Sequence, residues 1–159
     1  IYTGSPCMQK ERFDRFLLPK YMEANIPVFC TCRGMQSMYV TLGGKLNQHM
    51  SHETNPSHDG GKLVHAINFE NQHIIPGFTE VTQHKKGEYK INSRHHQTVN
   101  EETKPEIVTI LARHSTDNEI EFATTFPFYP CHMTQHHVED TSDPASVFLI
   151  NHLLNLNND

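Results

Sequence analysis

The apolar positions of the chain switch between helical and strand-like spacing, and this pattern predicts a mixed domain. Residues 10–23 carry apolar side chains close to the i, i+3, i+4 spacing of a helix face, and Pro19 is expected to kink or break that helix. The short apolar run 26–30 predicts a strand. Helical spacing returns over 35–42 and is expected to stop at the glycines 43–44.

The second half of the chain alternates short strand candidates with polar stretches. Residues 47–58 are rich in His, Ser and Asn, which predicts a long surface loop. Strands are predicted over four runs, 63–69, 89–92, 107–113 and 119–123. Turn residues at 116–118 separate the last two runs and predict a hairpin.

The C-terminal segment predicts a surface helix with one buried side. Asp143 is a capping residue, and Pro144 suits the first helical position. The expected buried face comprises Val147, Ile150, Leu153 and Leu154. Together these elements favour an α/β sheet covered by helices, with a small antiparallel addition.

Composition favours an ordinary globular domain and argues against several kinds of partner. The chain has 159 residues, 36% of them hydrophobic and 19% charged. Its apolar runs fall far short of the roughly 20 residues of a membrane span. A net charge of −5 provides no basic field for nucleic acid. Four cysteines are too few for a disulfide scaffold, which favours a reducing cytoplasm.

Cys32 lies where a predicted strand turns sharply into a predicted helix. Free backbone N–H groups and the helix dipole at such a position favour a thiolate. The backbone N–H of Arg33 would point to the same place and stabilise an oxyanion, and Gly34 lets the chain turn without a clash. The local pattern leaves open a second interpretation, in which Cys32 is a small buried residue that closes the strand.

Three segments carry a resemblance to a known family. They are Ile-Pro-Val-Phe-Cys-Thr-Cys-Arg-Gly-Met-Gln at 26–36 with Leu-Gly-Gly-Lys-Leu-Asn-Gln-His at 42–49, Asn-Ser-Arg-His-His-Gln at 92–97, and Gln-His-His-Val-Glu-Asp at 135–140. They resemble the nucleophile elbow and two later motifs of the γ-glutamyl-γ-aminobutyrate hydrolase family, within the class I glutamine amidotransferase superfamily. The resemblance implies a single flavodoxin-like domain over residues 1–159, with a mostly parallel central sheet and no cofactor.

The resemblance also implies the reacting residues. Cys32 is the nucleophile, His137 the general base and Glu139 the carboxylate that orients it. Chemistry supports the His–Glu pair independently, because residues i and i+2 of an extended segment project to the same side. The backbone N–H groups of Gly4 and Arg33 form the implied oxyanion hole. The candidates for lining the substrate pocket are Gln36, His96 and Gln97.

The chain departs from the family pattern in several places. Cys30 replaces a glycine two residues before the nucleophile, and the strained turn is expected either to accommodate it or to be distorted. Ser5 replaces a second glycine, His136 an aromatic residue and Val138 a proline. The first strands and helices of the family fold are expected to be missing, so the domain is interpreted as N-terminally incomplete.

The expected reaction is hydrolysis of a γ-glutamyl amide through an acyl-enzyme, with release of glutamate. Two other functions stay open. One is a glutaminase that passes ammonia to a synthase on a separate chain, and the other is a catalytically silent relative that binds a ligand or another protein chain. A homo-oligomer is also compatible with the sequence. A metal site built from residues 30–32 and the many histidines ranks low, because Cys-x-Cys lacks the usual two-residue gap.

Overall fold

A computed structural model describes residues 8–48, 65–82, 89–140 and 143–156. Within these ranges the strands, numbered along the chain, are β1 Val28–Thr31, β2 Lys45–Asn47, β3 His65–Phe69, β4 Tyr89–Ile91, β5 Thr98–Asn100, β6 Thr109–His114, β7 Ile120–Thr124 and β8 Cys131–Thr134. The helices are α1 Met8–Glu23, α2 Arg33–Thr41, α3 Phe78–Thr82 and α4 Pro144–Asn155, with 3₁₀ turns at Gln72–Ile74 and Glu101–Thr103. Six strands form one sheet in the order β1-β8-β7-β6-β3-β4, and β2 pairs with β5 separately.

The predicted α/β class is confirmed. Within the described residues, however, most neighbouring strands of the sheet are antiparallel, whereas a mostly parallel sheet was expected. β1 and β8 run parallel, with Thr31 opposite Thr134. The other four neighbouring pairs of the sheet are antiparallel. Short connections join β6 to β7 and β7 to β8, and such connections produce antiparallel neighbours, because a parallel pair needs a longer crossover. The β2–β5 pair is the small antiparallel addition.

Hydrophobic side chains cover both faces of the sheet. Successive residues of a strand point to opposite faces. On β7, Ala123 belongs to a core cluster with Met35 and Met38 of α2. Its neighbour Phe122 belongs to a second cluster, with residues of α3 and α4. The central strands are therefore sandwiched between helices, which positions the ends of β1 and β8 firmly.

Helix α1 runs through Pro19 without the break that was one of the two predicted outcomes. Leu18 and Met22 pack against the core cluster that contains α2. Asp14 of α1 also lies 2.7 Å from the guanidinium of Arg33 at the start of α2. These contacts offset the backbone hydrogen bond that a proline inside a helix removes.

Helix α4 begins as predicted, but its buried face differs. The Asp143 side chain accepts a hydrogen bond from the Ser146 backbone N–H at 2.9 Å, and Pro144 is the first helical residue. Val147 and Leu154 are 43% and 60% exposed. The buried face comprises Ala145, Ser146, Leu149 and Leu153. Apolar residues occur all around this helix, so packing against β1, β8 and α3 decides which side is buried.

The remaining predictions have mixed outcomes. The strand and helix flanking Cys32 are confirmed, as is the hairpin of β6 and β7. Of the predicted loop 47–58, Asn47 ends β2 and residues 49–58 lie outside the described residues. Strands β2, β5 and β8 and helix α3 were not predicted. Across the described segments, no helix combines the length and hydropathy needed to cross a bilayer.

Candidate active site

The backbone turns sharply at Cys32, between β1 and α2, with φ 47° and ψ −110°. A non-glycine residue with positive φ is strained by about 1–3 kcal/mol and persists where its surroundings hold it. The Cys32 N–H donates to the Thr134 carbonyl at 2.8 Å, and the Gln36 N–H donates to the Cys32 carbonyl at 3.2 Å. The thiol therefore lies at the carboxyl end of β1 and the N-terminus of α2, as the sequence predicts.

Cys30 is buried in the core beside this turn. It is only 5% exposed and belongs to the core. A Cβ atom built on Gly34 would lie 3.6 Å from the Cys30 Cβ, which is an ordinary contact distance. β1 keeps its pairing with β8 at this point, with Cys30 opposite Met133.

The Cys32 thiol is harder to ionise than its position at a helix N-terminus predicts. Burial raises its pKa above the ordinary value, and the negative charge of Glu139 acts in the same direction. Hydrogen bonds from the Arg33 backbone N–H and the Gln135 side chain lower the pKa but do not offset the rise. The protonated thiol therefore predominates at neutral pH, and the cysteine needs a base to become a nucleophile.

A His–Glu pair lies on the segment that follows β8, the parallel neighbour of β1. The Nδ1 atom of His137 is 2.6 Å from Oε1 of Glu139. This hydrogen bond is the main cause of the lowered pKa of Glu139, so the carboxylate is ionised beside the ring. Because Nδ1 is engaged, Nε2 is the nitrogen that can exchange a proton with a nucleophile or a leaving group.

The side chain of Asn92 clamps the backbone of His137 from the end of β4. Its Nδ2 donates to the His137 carbonyl at 2.7 Å, and its Oδ1 accepts from the His137 N–H at 2.9 Å. Asn92 is fully buried. Two residues further on, Arg94 pairs with Asp140 at 2.9 Å. The segment after β4 therefore positions the His–Glu pair, a role that the sequence motif alone does not reveal.

His136, the residue before the candidate base, packs against an aromatic ring of the core. It is fully buried, and its ring centroid lies 5.0 Å from that of Phe122. Its Nε2 is 2.8 Å from Asp143 at the start of α4. The Tyr89 hydroxyl donates to the same carboxylate at 2.6 Å. This network ties the segment after β8 to α4 and β4.

The predicted pocket residues lie on two elements that the fold brings together. Gln36 is 7% exposed, and its amide nitrogen donates to the Gln97 carbonyl at 2.9 Å. The Gln97 side chain donates to Gln48 at 2.7 Å, and His96 is half-buried beside it in the chain. Their contact with a substrate stays a prediction.

Other predicted site residues are only partly covered by the structure. Gly4 lies outside the described residues, as do several histidines considered for a metal site, namely His49, His52 and His58. The Arg33 backbone N–H faces the Cys32 sulfur, where an oxyanion donor is expected. Among the described residues, no three His, Cys, Asp or Glu side chains are grouped to hold a metal ion.

The same three motifs, apart from the final residue Asp140, lie within a match to a known family. The sequence profile of Peptidase C26 matches residues 2–139. The chain belongs to the Peptidase C26 family. The matched span contains both the elbow of Cys32 and the His–Glu pair, and the resemblance predicted from these motifs is confirmed.

This Peptidase C26 chain is 31% identical over 105 residues to Protein NtpR of Enterococcus hirae, in an alignment covering 59% of the chain and 40% of that relative. A protein of Thermoplasma acidophilum, provisionally described as a GMP synthase subunit, superposes with a TM-score of 0.64 at 16% identity, over 94% of the chain and 69% of that protein. A glutamine amidotransferase of Thermotoga maritima gives 0.63 at 14% identity, over 99% and 61%. The chain thus spans less than half the curated relative, and the structural matches show the fold alone.

Proposed function

We propose that this chain hydrolyses a γ-glutamyl amide bond through a covalent intermediate on Cys32 and releases glutamate. The observation that carries the proposal is that two structural features follow the carboxyl ends of neighbouring parallel strands. Cys32, with its strained backbone, directly follows β1, and the His–Glu pair follows β8. Membership of the Peptidase C26 family supports the same chemistry.

The proposed first half-reaction forms a thioester. His137 takes the proton of the Cys32 thiol, and the sulfur attacks the δ-carbonyl carbon of the substrate. The Arg33 N–H stabilises the resulting oxyanion, with the Gly4 N–H as the second proposed donor. The C–N bond then breaks, and His137 transfers its proton to the leaving amine. Glu139 stabilises the imidazolium between these two proton transfers.

The second half-reaction releases the acid without a cofactor. His137 takes a proton from water, whose oxygen attacks the thioester carbon. The C–S bond breaks, the electron pair returns to sulfur, and His137 gives the proton back to Cys32. The products are glutamate and the regenerated thiol.

The test is glutamate release from γ-glutamyl-γ-aminobutyrate and from glutamine. Cys32→Ala is expected to abolish release. Cys131→Ala is the matched control, since Cys131 is a buried free cysteine on the neighbouring strand, and this variant is expected to keep its activity. Release that survives Cys32→Ala contradicts the proposed nucleophile.

The preferred substrate separates two forms of the proposal. Preference for γ-glutamyl-γ-aminobutyrate indicates a free-standing hydrolase. Preference for glutamine favours a glutaminase that supplies ammonia to a separate synthase, a possibility prompted by the description of one structural neighbour as part of a synthase. No release from either substrate by the folded protein would reject hydrolysis and favour a silent binding relative.

A further inference from the structure

Gln135 is a fully buried residue beside the nucleophile, and the proposed reaction gives it no role. Its Nε2 lies 3.8 Å from the Cys32 sulfur, within hydrogen-bonding range for this large atom. The residue directly follows β8, and its backbone N–H donates to the Glu121 carbonyl at 2.8 Å. Both its backbone and its side chain are therefore held in place.

The orientation of the Gln135 amide is set by Gln36. A backbone carbonyl can only accept a hydrogen bond, so the bond to the Gln97 carbonyl at 2.9 Å fixes which end of the Gln36 amide is nitrogen. That nitrogen has a second hydrogen, and it lies 3.3 Å from Oε1 of Gln135. With its oxygen engaged in this way, Gln135 presents its nitrogen to the sulfur of Cys32.

We propose that Gln135 is a catalytic residue whose side-chain N–H stabilises the thiolate of Cys32, and that Gln36 is the positioning residue that orients it. The inference rests on the proposed function in taking Cys32 as the nucleophile. Hydrogen bonds to an ionised acceptor are the strong ones, so the contact strengthens when the thiol loses its proton. The hydrogen bond from Gln135 lowers the pKa of Cys32, whereas burial and the negative charge of Glu139 raise it.

The same contact serves the second half of the reaction. When the thioester is cleaved, the C–S bond breaks and its electron pair returns to sulfur. The Gln135 N–H is already in place to stabilise this thiolate until His137 returns the proton. An amide donor carries no charge and does not titrate, so its contribution does not depend on the protonation state of the His–Glu pair.

The test measures the pKa of Cys32 without any substrate. Iodoacetamide reacts with the thiolate, so the alkylation rate as a function of pH gives the thiol pKa. Mass spectrometry with fragment spectra separates Cys32 from Cys30, which is close in sequence. Gln135→Met keeps the side-chain length and removes the donor. It is expected to raise the pKa of Cys32 by about one unit and to slow alkylation about tenfold at a fixed pH below both values.

Two further variants make the test specific. Gln36→Met is expected to slow alkylation in the same direction by a smaller factor, about threefold, because the donor stays but loses its orientation. Gln72→Met is the matched control. Its amide donates to Thr82 at 2.8 Å in another part of the fold, and its loss should leave the Cys32 rate unchanged.

Folding of each variant is checked by circular dichroism. Should Gln135→Met fail to fold, Gln135→Asn carries the test, since its amide is one methylene too short to reach the sulfur and the same rise is expected. An unchanged pKa of Cys32 in the folded variant overturns the inference. The inference and the proposed function can fail separately. If the pKa of Cys32 rises as expected in Gln135→Met but the wild-type chain releases no glutamate, hydrolysis is rejected and the contact between the Gln135 amide and the Cys32 thiolate stands.

Discussion

Replacing Asp143 by asparagine tests how much stability one buried carboxylate supplies. Asp143 accepts hydrogen bonds from the Ser146 N–H, from the Tyr89 hydroxyl and from His136. Burial acts to raise its pKa, but these bonds outweigh burial and lower the pKa from 3.8 to about 2. A pKa lowered from 3.8 to about 2 corresponds to about 2.5 kcal/mol in favour of the ionised folded state.

The sign of the pH dependence follows from the lowered pKa. The stability that the Asp143 carboxylate contributes is fully present when the pH is above its pKa in the unfolded chain, which is about 4. This stability is lost as the pH falls through its pKa in the folded protein, which is about 2. Asp143→Asn is therefore expected to reduce the free energy of unfolding by about 2.5 kcal/mol at pH 7. The difference between wild type and variant should shrink as the pH approaches 2. Urea unfolding followed by circular dichroism suits this chain, which has no tryptophan.

Asp140→Asn is the matched control for this measurement. Asp140 pairs with Arg94 near the surface, where both side chains are partly exposed. Its loss is expected to cost less than about 1 kcal/mol. A cost for Asp143→Asn no larger than that of the control, or one that does not change between pH 7 and pH 3, would refute the reasoning.

Two further predictions concern packing and positioning. Gly44→Ala is expected to cost about 2–3 kcal/mol in unfolding free energy, because the new Cβ would lie 2.2 Å from the buried Tyr39 ring. Gly43→Ala is the control: its Cβ would enter open space, and only the backbone at φ 101° is strained, so the expected cost is about 1 kcal/mol. If urea unfolding gives the same loss of stability for both variants, the clash with Tyr39 is not the cause. Asn92→Ala releases both backbone hydrogen bonds of His137 and is expected to lower kcat about tenfold or more, with a smaller change in KM. Initial rates of glutamate release measure this effect, and an unchanged kcat would contradict the positioning role.

The elements that the sequence predicts correctly are those with local signals. The turn at Cys32 follows from the change of apolar spacing on either side, and the Asp143 cap from one residue type before a proline. Strand β8 has only a weak local signal. Its apolar residues Cys131 and Met133 alternate with His132 and Thr134 over just four positions, and all four residues are buried, so the alternation does not separate a core face from a solvent face.

The missing parts of the site depend on long-range packing. Gln135 receives its orientation from Gln36, which is 99 positions away in the chain. Asn92 meets His137 across 45 positions. The raised pKa of the Cys32 thiol comes mainly from burial, which a helix N-terminus in the sequence does not reveal. A motif therefore proposes candidate reacting groups, but it does not reveal the residues that hold them in place.

The backbone of Cys32 also implies a conflict between stability and chemistry. Its φ of 47° and ψ of −110° are close to those of the first central residue of a type II′ turn, where glycine is preferred. Cys32→Gly is therefore expected to relieve about 1 kcal/mol of backbone strain while deleting the proposed nucleophile. Selection for thermal stability alone would thus discard the thiol, and the persistence of a cysteine at this position in laboratory evolution would report selection for catalysis.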